Sequence, residues 1–407
     1  MAWRAGGNAP QPGAPISLQM PGFWVSAGCG STFAAPDRPA DGSLRGALFA
    51  SGPAGELGRS AALSCNHAPF HLNLCYDTAA LSCALSLKSR LPAMTFSARR
   101  FAGSSDSELL VDWLRATRPR ERVTDYPSVI DLPHVLSLPY NQQTTRLWFA
   151  DTGDLLGFAF VDAFHTLRFE LDWQQSTPEL EAAIVAWGNT CLTATATEAP
   201  VSRLYVTAHQ ADTVRLSYLE RQGFSRLADW IVHLERSLAM PTKSPQLASG
   251  FSIRSVEGEH EAAELARLHR EAFGTPHMTT ERRLMLMRTA HYDPALDLVI
   301  VSVEGVRAAY GMGSLSPEEN RLTGQNACYA DLFATHPLYR GRGFARALLV
   351  TLLQRLQVRG FATARLNTSS ENRPMLQVAS SEGFETVSAT LRFAHSLDFS
   401  EPGGPTR

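Results

Sequence analysis

Residues 336–349, HPLYRGRGFARALL, hold three arginines and two glycines and run directly into an aliphatic helix. A strand, a tight turn and a helix start together point several backbone N–H groups at one spot, and the positive end of the helix dipole adds to them. Such a place favours an anion. Gly341 and Gly343 keep side chains out of the way, while Arg340 and Arg342 bring charge that can pair with phosphate oxygens. From Ala345 onward Leu348, Leu349, Leu352, Leu353 and Leu356 lie on one helix face, so the turn is mounted on a packed element. On the loop alone, a solvated basic turn is the competing reading.

The chain that must position this turn has 407 residues, is 44% hydrophobic and 19% charged, and carries a formal net charge of −2. That length allows two or three domains, and the charge balance argues against a general nucleic-acid binder. No segment reaches the roughly 18 apolar residues that span a bilayer, and the opening residues lack the pattern of a secretion signal. The expectation is a cytoplasmic protein without nucleic-acid or membrane partners. The six cysteines have no paired C-x-x-C spacing. Cys65, His67, His71 and Cys75 could in principle hold zinc, but no regular element is evident there to fix four ligands, and no metal is expected.

Composition divides the chain. Residues 1–93 hold ten charged side chains, are rich in Gly, Pro, Ala and Ser, and show no sustained period. They read as a poorly ordered extension, either genuine or the product of a mis-assigned start, with Met94 the candidate start. AMPTKSPQLASG at 239–250 reads as a linker between globular units at 94–238 and 251–400, and 401–407 as a tail. The two units repeat one order of elements: a strand, one or two helices, a hairpin, a strand, a long helix, a strand, a short helix and a final strand. Gly223-Phe224 and Gly383-Phe384 occupy the same place in that order, which points to an internal duplication.

The sequence Arg340-Gly341-Arg342-Gly343-Phe344-Ala345, with the strand before it, LNTSSENRPM after it and Gly383-Phe384 near the end, resembles the acetyl-CoA pyrophosphate loop and flanking motifs of the GNAT superfamily of N-acetyltransferases. The likeness covers 251–397 well and extends by element order to 95–238, so the whole resembles a tandem GNAT protein with a degenerate N-terminal copy. It implies two mixed α/β (α+β) folds, each a mostly antiparallel sheet flanked by helices. It also implies that backbone groups of Phe333 and Thr335 bond the pantetheine arm, that the amides of Arg340 to Ala345 hold the pyrophosphate, and that Asn372 reaches the cofactor arm. Ala379 stands seven residues beyond Asn372, where many members place the tyrosine that protonates the departing thiolate.

An ammonium has no lone pair, so an amine acceptor must lose a proton before it attacks a thioester. Asp331, on the strand before the loop, is near the place of the family's carboxylate base. An ordinary aspartate, with a pKa of about 3.9, is a weak base unless buried or acting through water. The competing role is a structural aspartate at a strand bulge. For His336, next to the loop, contact with phosphate or water is a plainer role than proton transfer. Cys328 reads as a buried strand residue rather than a nucleophile. In the N-terminal unit the helix replacing the basic loop begins STPELEAAIVAW, with Glu179 and Glu181 in its first turn, so this copy is expected to have lost the cofactor. Together these imply an acyl-CoA-dependent N-acyltransferase that moves acetyl from acetyl-CoA to a small-molecule or peptide amine by direct attack. The alternative is a non-catalytic acetyl-CoA sensor.

Overall fold

A computed structural model describes residues 95–195, 203–276, 278–289 and 291–396, together with the backbone of two three-residue strands, β1 (Ile16–Leu18) and β2 (Val25–Ala27), which pair antiparallel. Met94, the Cys65–Cys75 cluster and the tail at 401–407 lie outside the described residues.

The N-terminal half runs β3 (Phe96–Arg100), α1 (Ser104–Thr117), α2 (Asp131–Ser137), α3 (Pro139–Thr144), β4 (Arg146–Ala150), β5 (Leu155–Val161), β6 (Leu167–Leu171), α4 (Pro178–Thr195), β7 (Arg203–His209), α5 (Thr213–Arg221) and β8 (Ser225–Ser237). The C-terminal half follows with β9 (Phe251–Ser255), α6 (Ala262–Phe273), α7 (Thr280–Met287), β10 (Tyr292–Ser302), β11 (Arg307–Leu315), α8 (Pro317–Thr323), β12 (Ala327–Thr335), α9 (Phe344–Val358), β13 (Thr363–Ser369), α10 (Arg373–Ser381) and β14 (Glu385–Ser396). Helices α2, α3 and α8 were not expected from the sequence, because all three are short and lie between stronger signals.

The repeat extends to individual contacts. Arg99 binds Asp106 seven residues on and Asp106 also accepts from the N–H of Ala102; Arg254, Glu261 and the N–H of Glu257 make the same arrangement in the second half. Asp212 caps α5 by accepting from the N–H of Arg215, and Asn372 caps α10 by accepting from the N–H of Met375. Gly223 and Gly383 both turn with positive φ, 77° and 82°, which favours glycine in both copies.

The strands form a four-stranded antiparallel sheet, β3-β4-β5-β6, and an eight-stranded sheet, β7-β14-β8-β13-β12-β11-β10-β9, in which only β12 and β13 are parallel. A single parallel bridge, Thr166 to Tyr205, joins β6 to β7. Read across both sheets, the order is palindromic, with one departure from two self-contained copies: the last strands are exchanged. β8 inserts between β13 and β14 of the second half, and β14 pairs with β7 of the first. Residues 239–250 have no regular structure. They lie against the second half: Gln354 donates to the carbonyl of Lys243, and Leu247 and Ala248 pack on the core.

The core of the second half lies on both faces of its sheet. Phe344, Leu348, Leu352 and Leu356 recur every four residues along α9 and are buried against Leu296, Leu298, Ala308 and Ala330. Leu352 comes close because Gly313 has no side chain; an added Cβ there would sit 3.0 Å from its methyl. The other face is covered by α6 and α7, with Leu265, Leu268 and Leu286 packed on Tyr310, Met312 and Leu332.

Candidate functional site

The site begins with a parting of strands. β12 pairs with β11 along its length through a bulge between Tyr310 and Met312, where Leu332 takes a positive φ of 54°. Its pairing with β13 ends at Tyr329 opposite Arg365, whereas β13 continues on its other side, against β8, as far as Ser369 opposite Ile231. From Ala330 to Thr335, β12 therefore has no strand partner on the edge towards β13. Phe333 and Thr335 lie on this stretch. The Phe333 ring lies over Gly311, where any Cβ would meet it at 2.7 Å.

The basic turn closes the open end. Pro337–Tyr339 form one 3-10 turn, His336 accepts from the N–H of Leu338 through Nδ1, and its Nε2 is 3.3 Å from Glu271. Gly341 and Gly343 both have positive φ, 76° and 77°, and nothing lies within 4 Å of a Cβ built on either. Gly343 occupies the N-cap of α9, and no side chain caps this helix, unlike α5, α7 and α10. The first amides of α9 thus lack the side-chain partner that those three helices have, as an anion site requires. Both arginines are exposed but make different contacts. The Arg342 guanidinium lies 5.3 Å from the Tyr339 ring centroid, whereas Arg340 donates to the carbonyl of Ala272 at 2.5 Å. Arg340 therefore braces the loop against α6 in this structure through one of its guanidinium nitrogens. Asn372 spends Oδ1 on the cap of α10 and donates from Nδ2 to Thr368 at 3.0 Å.

Asp331 sits at the bulge on the sheet face opposite α9 and is 3% exposed. Burial, opposed by a hydrogen bond from Ser314 and reinforced by the charge of Glu319, pushes its carboxyl up to about 7. Its Oδ2 has no hydrogen-bond partner among the described residues. Two positions earlier on the same face, Tyr329 donates to Glu319 at 2.9 Å, and Arg365 binds Glu319, Gln325 and, at 2.8 Å, Glu235. Tyr329, Glu319, Arg365 and Glu235 line a cavity of about 160 Å³ between the two halves. Its other wall comes from the N-terminal half: the 124–131 segment, His209, and His233 to Glu235 on the exchanged strand. The ring nitrogens of His233 lie 2.8 Å from Asn367 and 2.8 Å from Thr390, and burial lowers its pKa. Cys328 is buried and burial pushes its thiol up, so it is no nucleophile. Glu319, Tyr329, Arg365 and His233 escaped the sequence reading. Ser316-Pro317-x-Glu319 was a legible helix start that could have flagged the first of them.

The first half has a corresponding gap between β6 and β7, filled by its own side chains. Arg215, 7% exposed, reaches from α5 to the carbonyl of Phe169 at 3.1 Å and to Glu170 at 3.0 Å. Arg118 binds Glu170 at 2.7 Å, and Arg122 binds Asp212 at 3.1 Å. Burial opposes the charge of Glu170, but the guanidiniums of Arg118, Arg215 and Arg122 outweigh it and hold the carboxyl at about 2. At the start of α4, Glu181 is buried and paired with Arg221 at 2.9 Å.

Residues 262–384 match the acetyltransferase (GNAT) family. The chain is 25% identical over 198 residues to a mycothiol acetyltransferase of Saccharomonospora viridis; the match takes in 47% of this chain and 64% of that protein. Among solved structures, a GCN5-related N-acetyltransferase from Sphaerobacter thermophilus superposes with a TM-score of 0.55 at 21% identity, over 74% of this chain and 95% of that one. A tandem GNAT protein from the clavulanic acid biosynthesis pathway gives the same TM-score at 15% identity, over 77% of this chain and all of that one. These two similarities establish the fold.

Proposed function

Because residues 262–384 form an acetyltransferase domain of the GNAT family, we propose that the protein transfers acetyl from acetyl-CoA to the amine of an acceptor molecule, using the C-terminal half alone for the cosubstrate. The observation that carries this reading is the open edge of β12 ending at an uncapped helix: a gap between two strands with amide donors at its mouth. A pantetheine arm fits such a gap as a third strand, bonding the backbone of Phe333 and Thr335, and a pyrophosphate fits the turn from Arg340 to Ala345. Glycines with empty space around their Cβ positions suit close approach of phosphate. Bound acetyl-CoA supplies an activated thioester. This chain's residues position it, and Asp331 takes the proton that an attacking ammonium must lose.

A carboxyl held at about 7 suits that task, since a general base works best when its pKa lies near the working pH. Ser314, hydrogen-bonded to Asp331 and opposite Tyr329 across the sheet, offers a route for the proton from the cavity side. Ala379 is fully buried under the closing strand, so the leaving thiolate takes its proton from solvent or from another group.

Calorimetric titration with acetyl-CoA, paired with thiol release from pooled amines, tests the reading. Wild-type protein is expected to bind acetyl-CoA and to release free CoA only when an amine is present. Gly343→Glu is expected to abolish binding, because it places a carboxylate where the pyrophosphate sits. Undiminished affinity in that variant overturns the site. Binding without amine-dependent thiol release favours the sensor instead.

A further inference from the structure

We propose that the cavity between the two halves is the acceptor subsite and that it selects an amine carrying a second cationic group. The inference rests on the acetyl-transfer reading for calling the ligand an acceptor; the choice of charge comes from the cavity itself.

The cavity lies where a reacting amine would need to be. Tyr329, on its wall, is the last residue of β12 paired with β13, and Asp331 follows on the same face of the strand about 7 Å further along. The wall is shared between the halves only because β8 is exchanged, which brings His233 and Glu235 beside Asn367 and Arg365.

Its chemistry excludes an anion. Four carboxylates, of Asp125, Asp131, Glu235 and Glu319, face one guanidinium, that of Arg365. All three nitrogens of Arg365 are already engaged, by Glu235, Glu319 and Gln325. The histidines are engaged as well: both nitrogens of His233 are occupied, and Nδ1 of His209 accepts from the N–H of Ala211 at 3.2 Å. A ligand carboxylate or phosphate would thus find no free cation and would meet repelling carboxylates. A ligand rich in N–H donors finds acceptors on both walls. Glu235 is one-third exposed and Asp125 one-fifth, so each can turn an oxygen towards a ligand while keeping its arginine. Polar groups make up more than half of the lining, with the Tyr126 and Tyr329 rings, Leu234 and Val387 the main apolar part, so a purely apolar amine forgoes the contacts that the carboxylates offer.

The test is calorimetry on the full chain saturated with CoA, using three probes of one length: 1,4-diaminobutane, 4-aminobutyrate and 1-aminobutane. The diamine is expected to bind at least about tenfold tighter than either of the others, a difference near 1.4 kcal/mol. Glu235→Gln and Asp125→Asn are each expected to weaken the diamine several-fold, with the melting temperature and acetyl-CoA affinity of the wild type retained. Equal or tighter binding of 4-aminobutyrate or 1-aminobutane, no heat from the diamine at millimolar concentration, or indifference of both variants would overturn the proposal. The acetyl-transfer reading fails separately, when acetyl-CoA itself does not bind or when no amine releases thiol.

Discussion

Below about pH 7 Asp331 carries a proton in the folded chain that it would release when unfolded. Its folded pKa of about 7 lies above the ordinary aspartate value near 3.9, so between those values the native state binds the extra proton and stability falls as pH rises. Asp331→Asn should therefore melt higher than wild type at pH 8 and at the same temperature as wild type near pH 4, as thermal denaturation at the two pH values would report. The same residue should set the rate profile. Turnover at limiting acceptor is expected to fall below pH 7 in the wild type. Asp331→Asn should lose most of its turnover and that inflection, while acetyl-CoA affinity stays within about twofold. An unchanged profile in the variant would remove Asp331 from the chemistry. Arg340 has a structural contact at this scale as well: one guanidinium nitrogen donates to the Ala272 carbonyl at the end of α6.

Among the elements, β8 matters beyond its own half. It pairs with β13 from Ser237 opposite Thr363 to Ile231 opposite Ser369, and with β14 on its other side. Without it, β13 and β14 would each present an open edge and the apolar Val232 and Leu234 would be missing from the core. A fragment of residues 251–396 is therefore expected to remain unfolded or to associate by borrowing a strand. A fragment beginning at Ser225 should recover a cooperative melt. Circular dichroism and sedimentation of the two fragments decide this, and a stable monomeric 251–396 would show that β8 is dispensable.

For the whole molecule, the two copies differ in what fills the gap between their fourth and fifth strands. In the second half the edge of β12 is open, whereas in the first Arg215 occupies the corresponding place and neutralises Glu170 together with Arg118 and Arg122. One acetyl-CoA per chain is the expected stoichiometry, and calorimetry giving two would overturn this division. The buried cluster also makes a stability prediction. Removing one charge strands the others, so Glu170→Gln should cost about 3–5 kcal/mol, measurable by urea denaturation at neutral pH. Because the folded Glu170 carboxyl is depressed to about 2, its contribution is present above the unfolded value near 4.3 and is lost as pH falls towards 2.

What the sequence by itself determined was local: apolar periods, caps and glycine turns depend on neighbours within a few residues. Those were enough to find α4, α9 and α10, the hairpin of β10 and β11, the glycine-rich turn before α9 and the repeated order of elements. Short helices escaped for the same reason, since α2, α3 and α8 offer too few turns for a period to stand out. Only the tertiary structure decided which strand lies beside which, and the exchange of β8 and β14 leaves no local trace because either partner satisfies the same alternating pattern. The cavity depends on that exchange, bringing Glu235 to Arg365 across 130 residues of chain. The burial of Asp331 is of the same kind: its acidity depends on the layers that exclude water from it and on Ser314 and Glu319, which a neighbouring strand and helix bring near.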